Sequence, residues 1–536
     1  MIKRFLNKQS KTIISAAIVL GAASLVSRIL GLVRARILAG MFGAGDELDV
    51  YYAAFRVPDL VYSLLVIGAI SAGFIPVFVN YLQKDKDEAW YLASSVLNLI
   101  GLSLIIACSI LIIFAPWLVK IVAPGFSQEK LDLTVQMTRI MFLSPIFLGL
   151  SAVFGGILQS FRRFLVYALG PIMYNLGIIF GALFLVQYFG LLGLAYGVVL
   201  GAFFHMIVQI PTALMCGFRW RPVFDLKFEG VRRIFKLMPP RVLSLAVSQI
   251  NFWIMTVLAS SLAVGSITVF AMAINIWSFP FGVFGISFVL ASFPKLSETA
   301  QKKDKSGFIK TFTTTVRQIL FFLLPATALF IVLRVQIVQS LLGTGHFSSS
   351  DVILTYQTLG YISLALFAEA LILLFLRGFF AWEDTKTPFL LGFLATMFRL
   401  LAAWYLSGYL GVAGLALGFS LGSVFYLILL FIGLRRKIGL LGGRAMTLSG
   451  LKMFLASVSA GLVAYLGLEI TSLLVNISTV SNALIQGSIS GILGILAYFL
   501  LAWILKVDEL NLFLSSLTSR LPWKKVPREI SGDEGR

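Results

Sequence analysis

Fourteen apolar runs, most of them longer than the ~20 residues that a helix needs to cross a bilayer, leave this chain one kind of fold. They fall roughly at 12–41, 50–82, 90–120, 132–161, 165–188, 190–216, 230–263, 265–297, 310–342, 351–381, 386–407, 411–434, 449–474 and 482–505. Soluble domains carry about 25% charged residues, whereas this chain carries 12% and is 59% hydrophobic. The reading is an all-α polytopic membrane protein with fourteen transmembrane helices. Runs that exceed the span predict tilted or bent helices, with Pro58, Pro76, Pro145, Pro280 and Pro294 as kink sites.

Charge orders the connections. Basic clusters occur at the N-terminus (Lys3, Arg4, Lys8, Lys11), at Lys84 and Lys86, Arg162 and Arg163, Arg219 to Arg233, Lys302 to Lys305, Lys386, Arg435 to Lys437, and Lys524 and Lys525. The alternate connections, 42–48, 122–129, 343–350, 408–410 and 475–481, contain no lysine or arginine. This is the positive-inside asymmetry, and it places both termini in the cytoplasm. The net charge of +20 therefore reports topology. A nucleic-acid partner would need a basic solvated face, and none is expected.

An internal repeat sets the organisation. YFGLLGLAYGVVLGAFF at 188–204 matches YLGVAGLALGFSLGSVF at 409–425 in nine of seventeen positions without a gap. The offset spans six helices, so both copies share one orientation. The expected division is an N-terminal half at 1–225, a parallel C-terminal half at 226–440, two added helices at 441–506 and a tail at 507–536. Parallel repeats around a central site are a transporter architecture. In the tail, Leu510, Phe513, Leu517 and Leu521 recur at helical spacing before Trp523, which predicts an amphipathic helix on the membrane surface.

Cys108 and Cys216 stand without a CxxC or histidine partner and read as packing residues. The first apolar run is too long for a cleaved signal peptide and reads as a retained helix. There is no phosphate-binding loop, HExxH, GxSxG or acidic metal motif. The expectation is thus a transporter, not an enzyme, with no cofactor and no metal.

Ionisable residues inside spans mark function by default, because each is costly to place there. In SRILGLVRARILAG (27–40), a straight helix from Lys11 would carry Arg28 about 25 Å along, within the hydrocarbon. Arg34 and Arg36 lie about 200° apart around the helix, so both cannot line one cavity. Arg28 and Arg34 are assigned to a hydrated interior and Arg36 to the membrane interface. In DVYYAAFRVPDL (49–60), Arg56 and Asp59 are spaced to pair on one face, and Asp49 lies near the outer mouth, able to orient an arginine. Snorkelling is the expectation for Arg377 and Arg399, and packing for His205. Guanidinium groups bind phosphate through paired charge-assisted bonds and stay protonated, so the cavity suits an anionic, phosphorylated substrate.

These residues carry a resemblance. SRILGLVRARILAGMFGAGDELDVYYAAFRVPDL, with GAISAGFIPVF (68–78), APGF (123–126) and DTKTP (384–388), resembles the lipid II flippases (MurJ/MviN) of bacterial cell-wall synthesis. The resemblance implies a flippase of the multidrug/oligosaccharidyl-lipid/polysaccharide exporter superfamily in the bacterial plasma membrane. Its substrate would be the polyprenyl-diphosphate-linked peptidoglycan precursor, its partners membrane lipids and cell-wall synthesis proteins, and its mechanism alternating access. The positions of Arg28, Arg34 and Asp49 belong to the cationic cavity of that family, and the last two helices would offer a groove to the lipid tail. Where the family usually has an arginine pair and then a glutamate, this chain has Tyr62, Ser63 and Ile67. Asn275 stands where another cavity arginine is usual, and Ala35 where an aspartate follows Arg34. The expected substrate-binding set is Arg28, Arg34, Asp49, Arg56, Tyr62, Ser63 and Asn275, with Arg139 as a compensating cation. The alternative is a drug or ion antiporter of the same superfamily, or a flippase for another lipid-linked oligosaccharide.

Overall fold

A computed structural model describes residues 13–67, 73–441, 443–473, 475 and 479–518. The N-terminal basic cluster and the tail positions Leu521, Trp523, Lys524 and Lys525 lie outside the described residues. Every described element is helical. In chain order they are α1 (Ile13–Phe42), α2 (Asp46–Val61), α3 (Ile75–Lys84), α4 (Lys86–Val122), α5 (Gln128–Ser160) and α6 (Phe164–Phe189). There follow α7 (Leu192–Met215), α8 (Glu229–Ser260), α9 (Ser266–Gln301), α10 (Lys305–Val332), α11 (Arg334–Leu342) and α12 (Ser349–Ser363). The series ends with α13 (Leu366–Ala381), α14 (Lys386–Leu410), α15 (Val412–Ile438), α16 (Gly443–Ser472), α17 (Val480–Ile504) and α18 (Asp508–Thr518).

Ten of these helices are long and apolar enough to cross a membrane, and α12 with α13, bent by 42°, makes an eleventh. The other three expected segments run through α1, α2–α3 and α8, whose described residues are helical as well. The structure is thus compatible with fourteen spans. Proline shapes several of them. α2 widens into a π turn at Tyr62–Ile67 one turn after Pro58, and α9 does so at Phe281–Ile286 directly after Pro280. Removing an N–H from the ladder frees a carbonyl, and a π turn is one way for the helix to absorb the mismatch.

The two copies of the repeat have the same local geometry. Gly190 and Gly411 occupy equivalent places and adopt nearly one conformation, φ 57°, ψ −147° and φ 56°, ψ −137°, which a side chain would disfavour. The glycines that follow bring backbones together. A Cβ on Gly193, Gly197 or Gly201 would strike the main chain of α6, and one on Gly414 or Gly418 that of α14. Small residues allow such close approach where lipid supplies no hydrophobic drive.

At the end that carries the connections without lysine or arginine, segments distant in the chain close on one another. Gly265 sits on the carbonyl of Ala44; His346 N donates to Gly40 O at 2.9 Å, and Gly125 N to Ser260 Oγ at 3.3 Å. α16 and α17 pack on each other and on α10 and α11, Gly487 and Gly491 lying against Gln336 and Leu333. The tail helix α18 is more firmly held than a surface-lying helix. Leu510 is buried, Phe513 packs on Phe321, Phe322 and Phe499, and Arg317 of α10 pairs with Asp508 and Glu509.

Candidate functional site

The three arginines of α1 go to three destinations. Arg28 is half-buried, and its Nη1 donates to Ser278 O of α9 at 3.2 Å, with the guanidinium lying on Gly282. Arg34 is half-buried within electrostatic reach of Asp59, Tyr52 and Tyr174. Arg36 turns the other way, and its Nη1 donates to Ser340 O at 2.5 Å and Leu341 O at 3.3 Å. Those carbonyls end α11, where the helix leaves acceptors unpaired and its dipole favours a cation. The helical phase therefore divides Arg34 from Arg36 as expected. The interface role for Arg36 is replaced by helix capping, because its face of α1 meets α11.

On α2, Asp59 is solvent-exposed while Val57, Pro58 and Val61 around it are buried. It lies within electrostatic reach of Arg56 and Arg34, and Tyr62 and Tyr174 feel its charge. An exposed carboxylate within electrostatic reach of arginines and tyrosines suits a hydrated interior better than a lipid-facing surface, since lipid would not solvate it. Arg56 is half-buried, its Nε is buried without a hydrogen-bond partner, and its carbonyl accepts Trp253 Nε1–H at 3.0 Å. Arg34, Arg56 and Tyr62 thus all lie within electrostatic reach of Asp59, which its spacing in the sequence marks only as a partner of Arg56. Tyr52 and Tyr174 were missed; mid-span tyrosines near arginines were the available signal.

The remaining site residues lie elsewhere. Asn275 of α9 is half-buried, and its carbonyl accepts Ser278 Oγ–H at 2.9 Å, so it stands one turn from the Arg28 contact. Ser63 is buried and accepts Gln249 Nε2–H from α8 at 2.7 Å. Asp49 is 3% exposed, and the charged side chain that acts on it is Lys130. Its carboxylate accepts Gly265 N–H at 2.8 Å, Thr268 N–H at 2.8 Å and Thr268 Oγ–H at 2.7 Å. Those donors open α9, so Asp49 is a helix cap supplied from α2.

Residues 38–485 match the family described as the lipid II flippase MurJ. A probable lipid II flippase MurJ of Vibrio cholerae serotype O1 is 30% identical over 438 residues, covering 79% of this chain and 83% of that protein. The chain belongs to the MurJ lipid II flippase family. The lipid II flippase MurJ of Burkholderia cenocepacia is 26% identical over 431 residues, 79% of this chain and 84% of its own length. A solved lipid II flippase MurJ in an inward closed conformation has the same fold, with a TM-score of 0.75 at 23% identity over 92% of this chain and 99% of that one. An inward-facing MATE family transporter of the MOP superfamily is more distant in fold, with a TM-score of 0.65 at 15% identity over 79% of this chain and 96% of that one.

Within this MurJ-family chain, Arg139, Arg399 and Arg377 have protein partners of their own. Arg139 is exposed, and its Nε donates to Ile112 O at 3.2 Å. Pro116, four residues on, has no N–H to offer that carbonyl, so Arg139 supplies the donor that the proline lacks. Arg399 does not snorkel. Its Nη2 donates to Glu369 Oε1 and Ser423 Oγ, both at 2.9 Å, and its guanidinium lies 4.3 Å from the Phe419 ring centroid. Arg377 lies over Phe293 at 4.7 Å. His205 Nδ1 meets Ser151 Oγ at 2.6 Å, in a network with Gln209, and packs on Gly170. Both cysteines are free, and among the described residues no cluster of metal-ligating side chains occurs.

Proposed function

We propose that this chain moves lipid II from the inner to the outer leaflet of the bacterial plasma membrane by alternating access, with both termini in the cytoplasm. The observation that carries the reading is the charge of the cavity. Arg34 and Arg56 lie within electrostatic reach of one carboxylate, Asp59, while Arg28 sits apart, against Ser278 of α9, so three guanidinium groups are set against one carboxylate and leave two net positive charges when Asp59 is ionised. A diphosphate diester carries two negative charges, so the loaded cavity is neutral. Guanidinium groups supply the forked donors that phosphate oxygens accept, and Tyr62 and Asn275 supply neutral polar edges for the sugars. A carrier of organic cations would favour the opposite balance of charge.

Residues 1–225 and 226–440 act as the two moving halves, hinged past the contacts of Gly40, Ala44 and Gly125 with His346, Gly265 and Ser260. Residues 441–506 form the pair α16–α17, whose apolar outer face accompanies the polyprenyl tail. The product emerges in the outer leaflet, where cell-wall synthesis proteins consume it and are the natural partners. The reading is tested by expressing the chain in a bacterium depleted of its own lipid II flippase. Restored growth and shape are expected; lysis despite membrane-localised protein would contradict it.

A further inference from the structure

The guanidinium of Arg28 rests on a surface that exists because α9 has no side chain at residue 282. A Cβ built on Gly282 would lie at nearly equal distances from Cζ, Nη1 and Nη2 of Arg28, all far inside van der Waals contact. Near-equal approach to three atoms of one plane puts residue 282 over the guanidinium face. The Nη1 end of that plane is held by Ser278 O at 3.2 Å. The same carbonyl accepts Phe281 N–H, at the entry to the π turn Phe281–Ile286 that contains Gly282.

Gly282 has no positive φ, so its backbone would accept alanine, the better helix former. What excludes alanine there is the arginine. We infer that Gly282 is a positioning residue for substrate binding: its bare backbone is the platform that holds Arg28 across from α1 to α9, with the free edge of the guanidinium presented to the diphosphate. The inference rests on the lipid II reading above. A planar fork must be oriented as well as present to grip phosphate, and an unsupported arginine loses more rotamer freedom when it binds. The platform also ties the phosphate-reading side chain to residues 1–225 and 226–440 together, so a substrate that draws Arg28 off Ser278 loosens one contact between them.

The test is a double-mutant cycle on the full chain in lipid nanodiscs, with lipid II as the binding probe and thermal unfolding as the check on folding. The variants are Gly282→Ala, Arg28→Lys, whose ammonium has no face to stack, and the two combined. Gly285→Ala serves as the packing control, since its Cβ would meet Ala370 Cβ at 2.8 Å and no arginine. Gly282→Ala is expected to weaken lipid II binding about tenfold in the wild-type background and less than about twofold in the Arg28→Lys background. Gly285→Ala is expected to act equally in both backgrounds. Unchanged binding by Gly282→Ala, or the same loss in both backgrounds, overturns the inference. If Gly282→Ala alone unfolds, folding of the combined variant supports the arginine clash and its unfolding overturns it. Failure of the folded wild type to bind lipid II would instead overturn the functional reading.

Discussion

Asp49 accepts both the main-chain N–H and the hydroxyl of Thr268, at 2.8 and 2.7 Å, and so fastens α2 to the start of α9. Both residues are buried. Asp49→Ala would strand the N–H groups of Gly265 and Thr268, each costing about 1–3 kcal/mol. We expect Asp49→Ala to lower stability by about 3 kcal/mol and Asp49→Asn by less, as its amide oxygen still accepts. Thermal or denaturant unfolding of purified protein measures this, and equal stability of the two variants would contradict the cap.

Arg36 should separate from its neighbours in the same helix. Because it donates to Ser340 O and Leu341 O, Arg36→Ala is expected to lose about 1–3 kcal/mol of stability while lipid II affinity stays within about twofold. Binding and melting curves on one preparation check this. A large loss of affinity at full stability would return Arg36 to the binding site.

The pair of Arg399 and Glu369 gives a sharper test of packing. Arg399 is 7% exposed and shares Glu369 with Ser423. Removing one partner of a buried pair costs about 3–5 kcal/mol, because the other charge is left uncompensated, whereas replacing both is often neutral. Arg399→Leu is expected to be severely destabilised, and Arg399→Leu combined with Glu369→Gln to recover most of the loss. Additive losses in the unfolding assay would contradict a closed pair.

These cases mark what the sequence could disclose. Opposed faces for Arg34 and Arg36 follow from about 100° per residue, and the glycine repeat at 188–204 and 409–425 was visible as identities. Both are local or periodic. The partners of Asp49, Arg36, Arg139 and Arg399 are main-chain or side-chain groups on other helices, and periodicity says which face a residue occupies, not what lies opposite. Arg139 illustrates the loss well. Pro116 was legible as a residue, but the carbonyl it frees at Ile112 became a binding site for an arginine only through packing of α5 on α4.

A contact in a connection between helices carries a pH signature. Asp384, in the DTKTP stretch between α13 and α14, would be raised by its partial burial. The Lys437 ammonium at 2.7 Å and both Thr387 donors outweigh this and hold the carboxyl below its ordinary value of 3.8. A carboxyl depressed in the folded state stabilises above its unfolded pKa and stops doing so as pH falls through the folded one. Wild type is therefore expected to be more stable than Asp384→Asn at neutral pH, the gap closing only below about pH 4. A gap that persists unchanged into that acid range would rule out the ionised contact.

Whether Arg28 and Arg34 carry the diphosphate, and Arg36 does not, is decided by lipid II translocation in proteoliposomes. The comparison sets wild type beside Arg28→Ala, Arg34→Ala and Arg36→Ala at matched folded protein. Arg28→Ala and Arg34→Ala are expected to lose about tenfold or more, and Arg36→Ala to keep near wild-type flux per folded molecule. Undiminished translocation by both Arg28→Ala and Arg34→Ala would contradict the arginine cavity.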